Sequence, residues 1–223
     1  MIKLSDRLAT IASLVPLNSR IIDIGCDHAL LDIYLYQKKI SNYIIASDVN
    51  ANALNNAKTN IAKEKLADKI KTRLGNGLDT LTEKDNVDTI IISGMGTHTI
   101  IGILKNNLNK LSNINTIIVQ SNNKLVLLRK EINKLNYLIE EETIVEDNKK
   151  YYIVIKFTKG KKRYNKKELY FGPNLLKNNS PLFKKYVKKE YDKLNLYLKL
   201  IPKKDIIYRY KIKKEIALYK DLI

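Results

Sequence analysis

Asp23-Ile24-Gly25-Cys26-Asp27-His28-Ala29 follows an apolar run and opens a helical pattern, the arrangement in which a parallel-sheet protein presents a ligand loop. Gly25 permits a sharp turn and lets a ligand approach the main chain where a Cβ would collide. The helix that follows offers free N–H groups. In a dinucleotide site such amides hold a pyrophosphate, but the third glycine of that fingerprint is absent, and Asp23 and Asp27 would repel a diphosphate. The same acids attract a ligand carrying an ammonium and a sulfonium, such as S-adenosylmethionine. An ordinary strand-to-helix turn with Asp27 as N-cap has the same spelling.

Other chemistry-bearing residues sit at comparable places. Asp48 ends the next apolar run. A carboxylate about 20 residues past the glycine turn can accept both ribose hydroxyls of an adenosine, and it can equally cap a helix starting near Asn50. Gly75-Asn76-Gly77-Leu78 offers an amide and close backbone to an adenine edge, or is a simple turn. Ser93-Gly94-Met95-Gly96-Thr97 puts two glycines beside a methionine, a surface able to press on a planar substrate or a methyl donor. Gln120-Ser121-Asn122 can hydrogen-bond a base, as many polar loops can. Cys26, His28 and His98 are too few for a structural zinc site, and a single cysteine forms no internal bridge, so no metal and a reducing cytoplasm are expected.

These residues need elements to hold them. Between residues 20 and 158, β-branched runs alternate with helical patterns. Strands are expected at 20–24, 43–48, 69–74, 87–93 and 115–120, with helices near 28–38, 51–65, 98–110 and 124–136. That alternation predicts a parallel sheet covered by helices on both faces. The runs 140–146 and 151–157, joined by Asp147-Asn148-Lys149-Lys150, read as a hairpin. A mostly parallel sheet ending in an antiparallel pair is the order of elements in the Rossmann-like methyltransferase sheet. Ahead of it, Leu4, Leu8, Ile11 and Val15 mark an amphipathic helix rather than a signal peptide. The chain is divided as 1–158, a catalytic domain; 159–180, a basic connector with Gly160, Gly172 and Pro173; and 181–223, an antiparallel helical hairpin. In the hairpin, Phe183, Val187, Leu194, Leu198 and Ile201, then Ile212, Ile216, Tyr219 and Ile223, recur at helical spacing.

The net charge of +18 is unevenly spread. Residues 1–110 carry 14 basic and 11 acidic side chains, residues 159–223 carry 20 and 6. Compositional bias toward Lys, Asn and Ile does not by itself produce that asymmetry, so the C-terminal third is expected to face a polyanion. No uncharged apolar run is long enough to span a membrane.

With Leu4-Ser5-Asp6-Arg7-Leu8, the Asp23–Ala29 loop, Gly94-Met95-Gly96, the Gln120 loop and Phe171-Gly172-Pro173 in this order, the chain resembles, over nearly its whole length, the TrmK family of bacterial tRNA (adenine-N1)-methyltransferases. The resemblance implies a Rossmann-like class I methyltransferase fold with a mostly parallel seven-stranded sheet, S-adenosylmethionine as donor, adenosine 22 of tRNA as acceptor, and a coiled-coil-like tRNA-binding arm. The chain departs from the family pattern at Leu30 and Asp32, where Tyr and Pro are more usual, at Thr97, where a second glycine is, and at Ser121, where proline is. The donor set expected is Arg7, Asp23, Gly25, Cys26, Asp27, Asp48, Val49, Asn76, Gly77 and Gly94; the catalytic set is Asp27, His28, Gly94, Met95 and Gln120. Arg7, Lys184, Lys185, Lys188 and Lys189 are expected to contact RNA, and a monomer is expected.

Adenine N1 carries a lone pair at neutral pH and needs no base to remove a proton, so positioning should dominate. Asp27 would touch the donor or the developing cationic adenine. His28 would orient the base or relay a proton from the exocyclic amine, or simply bond backbone at a helix N-terminus. Arg7 would grip the donor carboxylate or a phosphate, or lie on the surface. Two other classes compete: a non-catalytic RNA-binding protein with a degenerate donor pocket, and a small-molecule N-methyltransferase with a basic tail.

Overall fold

The computed structural model describes residues 2–223, apart from the Asp221 side chain. Helix α1 (Asp6–Ser13) precedes five strands and four helices: β1 (Arg20–Ile24), α2 (Leu30–Gln37), β2 (Tyr43–Asp48), α3 (Ala51–Lys63), β3 (Ile70–Leu74), β4 (Thr89–Met95), α4 (Thr97–Lys105), β5 (Thr116–Ser121) and α5 (Leu125–Lys134). The hairpin β6 (Tyr137–Asp147) and β7 (Lys150–Lys159) follows, then α6 (Lys166–Phe171), α7 (Pro173–Asn178), α8 (Pro181–Leu200) and α9 (Ile206–Tyr219). The sheet runs β3-β2-β1-β4-β5-β7-β6; β1 to β5 are parallel, and β7 lies antiparallel between β5 and β6. The expected fold class is what the chain adopts.

Register makes the core. Ile45, Ile22, Ile90, Ile117 and Phe157 stand side by side across five strands and pack into one helical layer. The next row, Ala46, Ile91 and Ile118, points to the opposite face and a second core. Asp23 occupies that second row, so its carboxylate is carried into apolar surroundings by the alternation of the strand itself. The hairpin turn has positive φ at both Asn148 (50°) and Lys149 (62°), the two-residue turn whose twist matches its strands.

Residues 159–180, expected as a basic connector, carry two short helices. Asn165 and Glu168 form a capping box that starts α6, and Pro173 starts α7 at a position where its missing N–H costs nothing. Gly172 joins the two helices at φ 95°; a Cβ there would lie 2.3 Å from Glu142 Oε2 and 2.9 Å from Arg129 Nη2. Arg129 and Glu142 form a fully buried ion pair (Nε to Oε1, 2.6 Å), and Arg129 Nη1 also donates to the carbonyls of Leu169 and Tyr170. The Phe-Gly-Pro motif therefore clamps the last helices onto the sheet.

The helical hairpin both packs and projects. Phe183, Val187 and Tyr219 enter the main core at its base, whereas Ile201, Ile212 and Ile216 form a small separate core toward its tip. Ile223 lies outside this stripe, half exposed.

Candidate active site

The carboxyl ends of β1, β2 and β4 enclose a cavity of about 450 Å³, within the ~300–1,000 Å³ usual for small-ligand sites. Arg7, Asp23, Gly25, Cys26, Asp27, His28, Asp48, Gly94 and Met95 line it. The structure thus gathers nine of the expected residues from four separate stretches of chain. Leu8, Leu30, Leu31, Asn50, Ala53 and Ser93 line it too, none of them in the expected donor or catalytic sets.

The loop after β1 is built by its own backbone. Gly25 takes φ 78° and donates its N–H to Ser47 O (2.8 Å); Asp27 and Ala29 follow at φ 51° and 54°. A Cβ on Gly25 would meet Met95 Cε at 2.4 Å, so the two glycine motifs are in contact across the sheet edge. Asp27 does not cap α2. Ala29 occupies the cap position without a side-chain bond, and Asp27 is left exposed, with its Oδ2 3.7 Å from His28 Nε2. The His28 carbonyl receives Asn60 Nδ2, which fixes the backbone of His28 and leaves its ring at the cavity rim.

Asp48 does not cap the next helix either; Asn50 does, accepting from Asn52 and Ala53. Asp48 instead bridges two loops: Oδ2 receives Asp27 N–H at 3.2 Å and Oδ1 receives Asn50 N–H at 2.8 Å. A carboxylate has about four acceptor sites, so a ligand's hydroxyls can still be received. Val49 beside it, also expected in the donor set, is 71% exposed and does not line the cavity.

Asp23 is buried, and its Oδ1 has no protein donor. Burial first, and repulsion from Asp48 second, push its carboxyl up to about 7. Asp32 on α2 is fully buried beneath the same loop, and burial together with Asp23 drives its carboxyl up as well. Burial and these carboxylates also push the Cys26 thiol up, away from thiolate chemistry.

Besides Val49, three expected residues are placed elsewhere. Gln120 is wholly buried and does not line the cavity; its Oε1 accepts from Arg7 Nη1 (2.8 Å) and Gly94 N–H (3.1 Å), and its Nε2 donates to Asn122 Oδ1 (3.1 Å). It holds the cavity's walls instead of touching what enters. Asn76 is exposed over a different hollow formed with α4, and Gly77 is pressed against Ile103, because the φ of 55° at Gly77 turns this loop toward α4. Lys184, Lys185, Lys188 and Lys189 are all exposed on α8; Lys185 pairs with Glu146 (3.4 Å) and Lys188 with Asp192 (3.1 Å). Two departures from the family pattern meet one another: Thr97 Oγ1 and Ser121 Oγ lie 2.8 Å apart and buried, one donating to the other, and both also reach the Asn123 carbonyl.

Among the described residues no group of three or more His, Cys, Asp or Glu is arranged to hold a metal ion, and no helix is long and apolar enough to cross a membrane. The family profile for TrmK, tRNA (adenine(22)-N(1))-methyltransferase, matches residues 21–221. A curated Bacillus subtilis protein of that name is 35% identical over 111 residues, half of this chain; the chain spans about half the length of the curated relatives it matches. Solved structures match over the whole length. A Streptococcus agalactiae protein of the Rossmann superfamily superposes with a TM-score of 0.95 at 36% identity, covering 99% of this chain and 97% of its own. Mycoplasma capricolum TrmK, in complex with S-adenosylhomocysteine, superposes with a TM-score of 0.88 at 33% identity over 99% of both chains. With the profile running from the first strand to the end of the helical arm, the chain belongs to the TrmK family of tRNA (adenine(22)-N(1))-methyltransferases.

Proposed function

We propose that this protein transfers a methyl group from S-adenosylmethionine to N1 of adenosine 22 in tRNA, in the cytoplasm. The cavity at the ends of β1, β2 and β4 carries the reading. It brings three acids, Asp23, Asp27 and Asp48, to a single arginine, Arg7, which suits a ligand that is cationic yet ends in a carboxylate. The unpartnered Oδ1 of Asp23 and the backbone bared by Gly25 are the places where such a ligand's ammonium and main-chain contacts fit. When bound, S-adenosylmethionine supplies an electrophilic methyl on a sulfonium.

The chain's own residues do the rest by placement. Asp48 receives the ribose and adenine side, Arg7 the carboxylate, and Gly94 and Met95 form the wall on the substrate side. Asp27 and His28, exposed at the rim, meet the incoming adenine; a carboxylate there stabilises the positive charge the ring gains. Gln120 positions Arg7 and Gly94. Residues 1–158 form the catalytic unit. Residues 159–180 belong with it structurally, and the arm from 181 to 223 grips tRNA phosphates through Lys184, Lys185, Lys188 and Lys189. Because N1 is hidden in folded RNA, the target base must be exposed or flipped out. The C-terminal charge excess speaks against a small-molecule acceptor, and the gathered cavity against a degenerate one.

Incubation with methyl-labelled donor and unmodified tRNA, followed by nucleoside mass spectrometry against an N1-methyladenosine standard, tests it. N1-methyladenosine at one D-arm position is expected. N6-methyladenosine, or a methylated guanosine or pyrimidine as main product, overturns the acceptor assignment and leaves the donor site standing.

A further inference from the structure

A second cavity, of about 430 Å³, opens between the loop after β5, the start of β7 and the helical arm. It abuts the first along one hydrogen-bonded strip: Asn122 N–H donates to Met95 O (3.0 Å), and Asn122 Nδ2 donates to Gly94 O (2.7 Å). Tyr151, Tyr170, Tyr186 and Tyr219 supply four aromatic rings to its walls, and Glu190 and Glu215 supply two carboxylates. Lys124 and Lys193 also line it, so its formal charge balances.

This chemistry selects its occupant. A balanced charge favours neither a strong cation nor a bare polyanion. The half-buried faces of Tyr151 and Tyr186 suit a flat π-system. The carboxylates are only partly used, Glu215 by the Tyr170 hydroxyl and Glu190 by Lys193 at 3.6 Å, so each keeps acceptor sites for an N–H edge. Lysines beside them suit the phosphates on either side of such a ring.

We propose that this cavity receives a second unstacked nucleobase of the tRNA, one bearing an exocyclic amine, next to the methylated adenosine. The arm then not only grips backbone but helps hold the target region open. The proposal rests on tRNA being the substrate.

The test uses the full-length protein and tRNA transcripts carrying a single abasic residue at each position near the target adenosine, with binding measured by filter retention at fixed salt. One abasic position is expected to weaken binding to the wild-type protein about fivefold or more. The same lesion should cost at most about half that factor in Glu190→Gln, which changes charge without shape, and in Tyr151→Leu, which removes a stacking face. Unaltered donor affinity serves as the folding control for both variants, and Glu190→Gln alone suffices if Tyr151→Leu fails it. If tRNA is bound and methylated but no neighbouring abasic position matters, or the lesion costs the same factor in all three proteins, the cavity assignment falls and the proposed function stands. If tRNA is neither bound nor methylated, both fall.

Discussion

The Gln120 side-chain oxygen joins Arg7, 113 residues away in sequence, to the main chain of Gly94, with Nη1 at 2.8 Å and the Gly94 N–H at 3.1 Å. One buried amide thus fixes two walls of the donor cavity. Gln120→Leu keeps the volume and strands both donors. It is expected to cost about 1–3 kcal/mol of stability, read from urea unfolding, and to weaken S-adenosylmethionine binding measured by calorimetry. Donor affinity equal to wild type in a folded variant would show that Arg7 needs no such support.

Asp48 serves the loop after β1 and the start of α3 together. Asp48→Ala is expected to weaken donor binding tenfold or more, since hydrogen bonds to a charged acceptor are worth about 1.5–3 kcal/mol. Asp48→Asn retains one acceptor for Asn50 N–H and should fold better while still losing affinity. Calorimetry on both separates ribose contact from loop support; unchanged affinity in either folded variant removes Asp48 from the donor site.

The Asp23–Asp32 pair gives stability an unusual pH dependence. Asp23 titrates near 4 in the unfolded chain and near 7 when folded. Between those values the native state binds more protons than the unfolded state, so stability falls as pH rises across that window. Asp32→Asn removes one of the two buried carboxyls and should raise stability at pH 7 and flatten the profile, checked by unfolding at a series of pH values. A wild-type curve that rises from pH 4 to 7 with no change on substitution contradicts it.

Gly172→Ala drives a Cβ into the buried Arg129–Glu142 pair and adds strain at φ 95°. A loss of about 3 kcal/mol or more is expected, with a lower thermal midpoint and the arm's contacts more open to hydrogen exchange. A near-neutral substitution would mean that α6 and α7 can shift without cost.

Changing Lys184, Lys185, Lys188 and Lys189 together to Ala should flatten the salt dependence of tRNA binding by about two to four phosphate contacts. Donor affinity should be unaffected. Deleting residues 181–223 is a poorer test, because Phe183, Val187 and Tyr219 belong to the main core. An unchanged slope makes these lysines a solvated face.

The sheet was legible because buried parallel strands spell themselves as β-branched runs; Arg20–Ile24 and Tyr43–Asp48 begin and end where the runs do. The loop motifs were legible as ligand-facing because strand ends in such sheets converge on one edge. What side chains do there was less so. Gln120 reads as an exposed amide in a loop, and only the sheet's geometry shows that it is enclosed. Asn76 reads as a neighbour of the donor, but the positive φ at Gly77 sends the loop toward Ile103. Gly172-Pro173 reads as a break because the same residues that stop one helix can start the next. Asp32 carries no sequence signal of burial, since a lone acid on a helix is ordinarily solvated.

The position of β7 bears on synthesis. The strand that completes the sheet against β5 is the last in sequence, and it slots inside β6, which is made before it. A chain leaving the ribosome can pair β1 with β2 and then β4, growing outward from the centre, but the far edge of β5 stays open until residue 159 has emerged and the hairpin can close as a unit. Only then is Glu142 in place to receive Arg129, and only then do α6 and α7 have a surface to meet. The cavity's walls are thus synthesised well before the arm, and the part of the chain that carries them emerges while the C-terminal helices are still inside the exit tunnel.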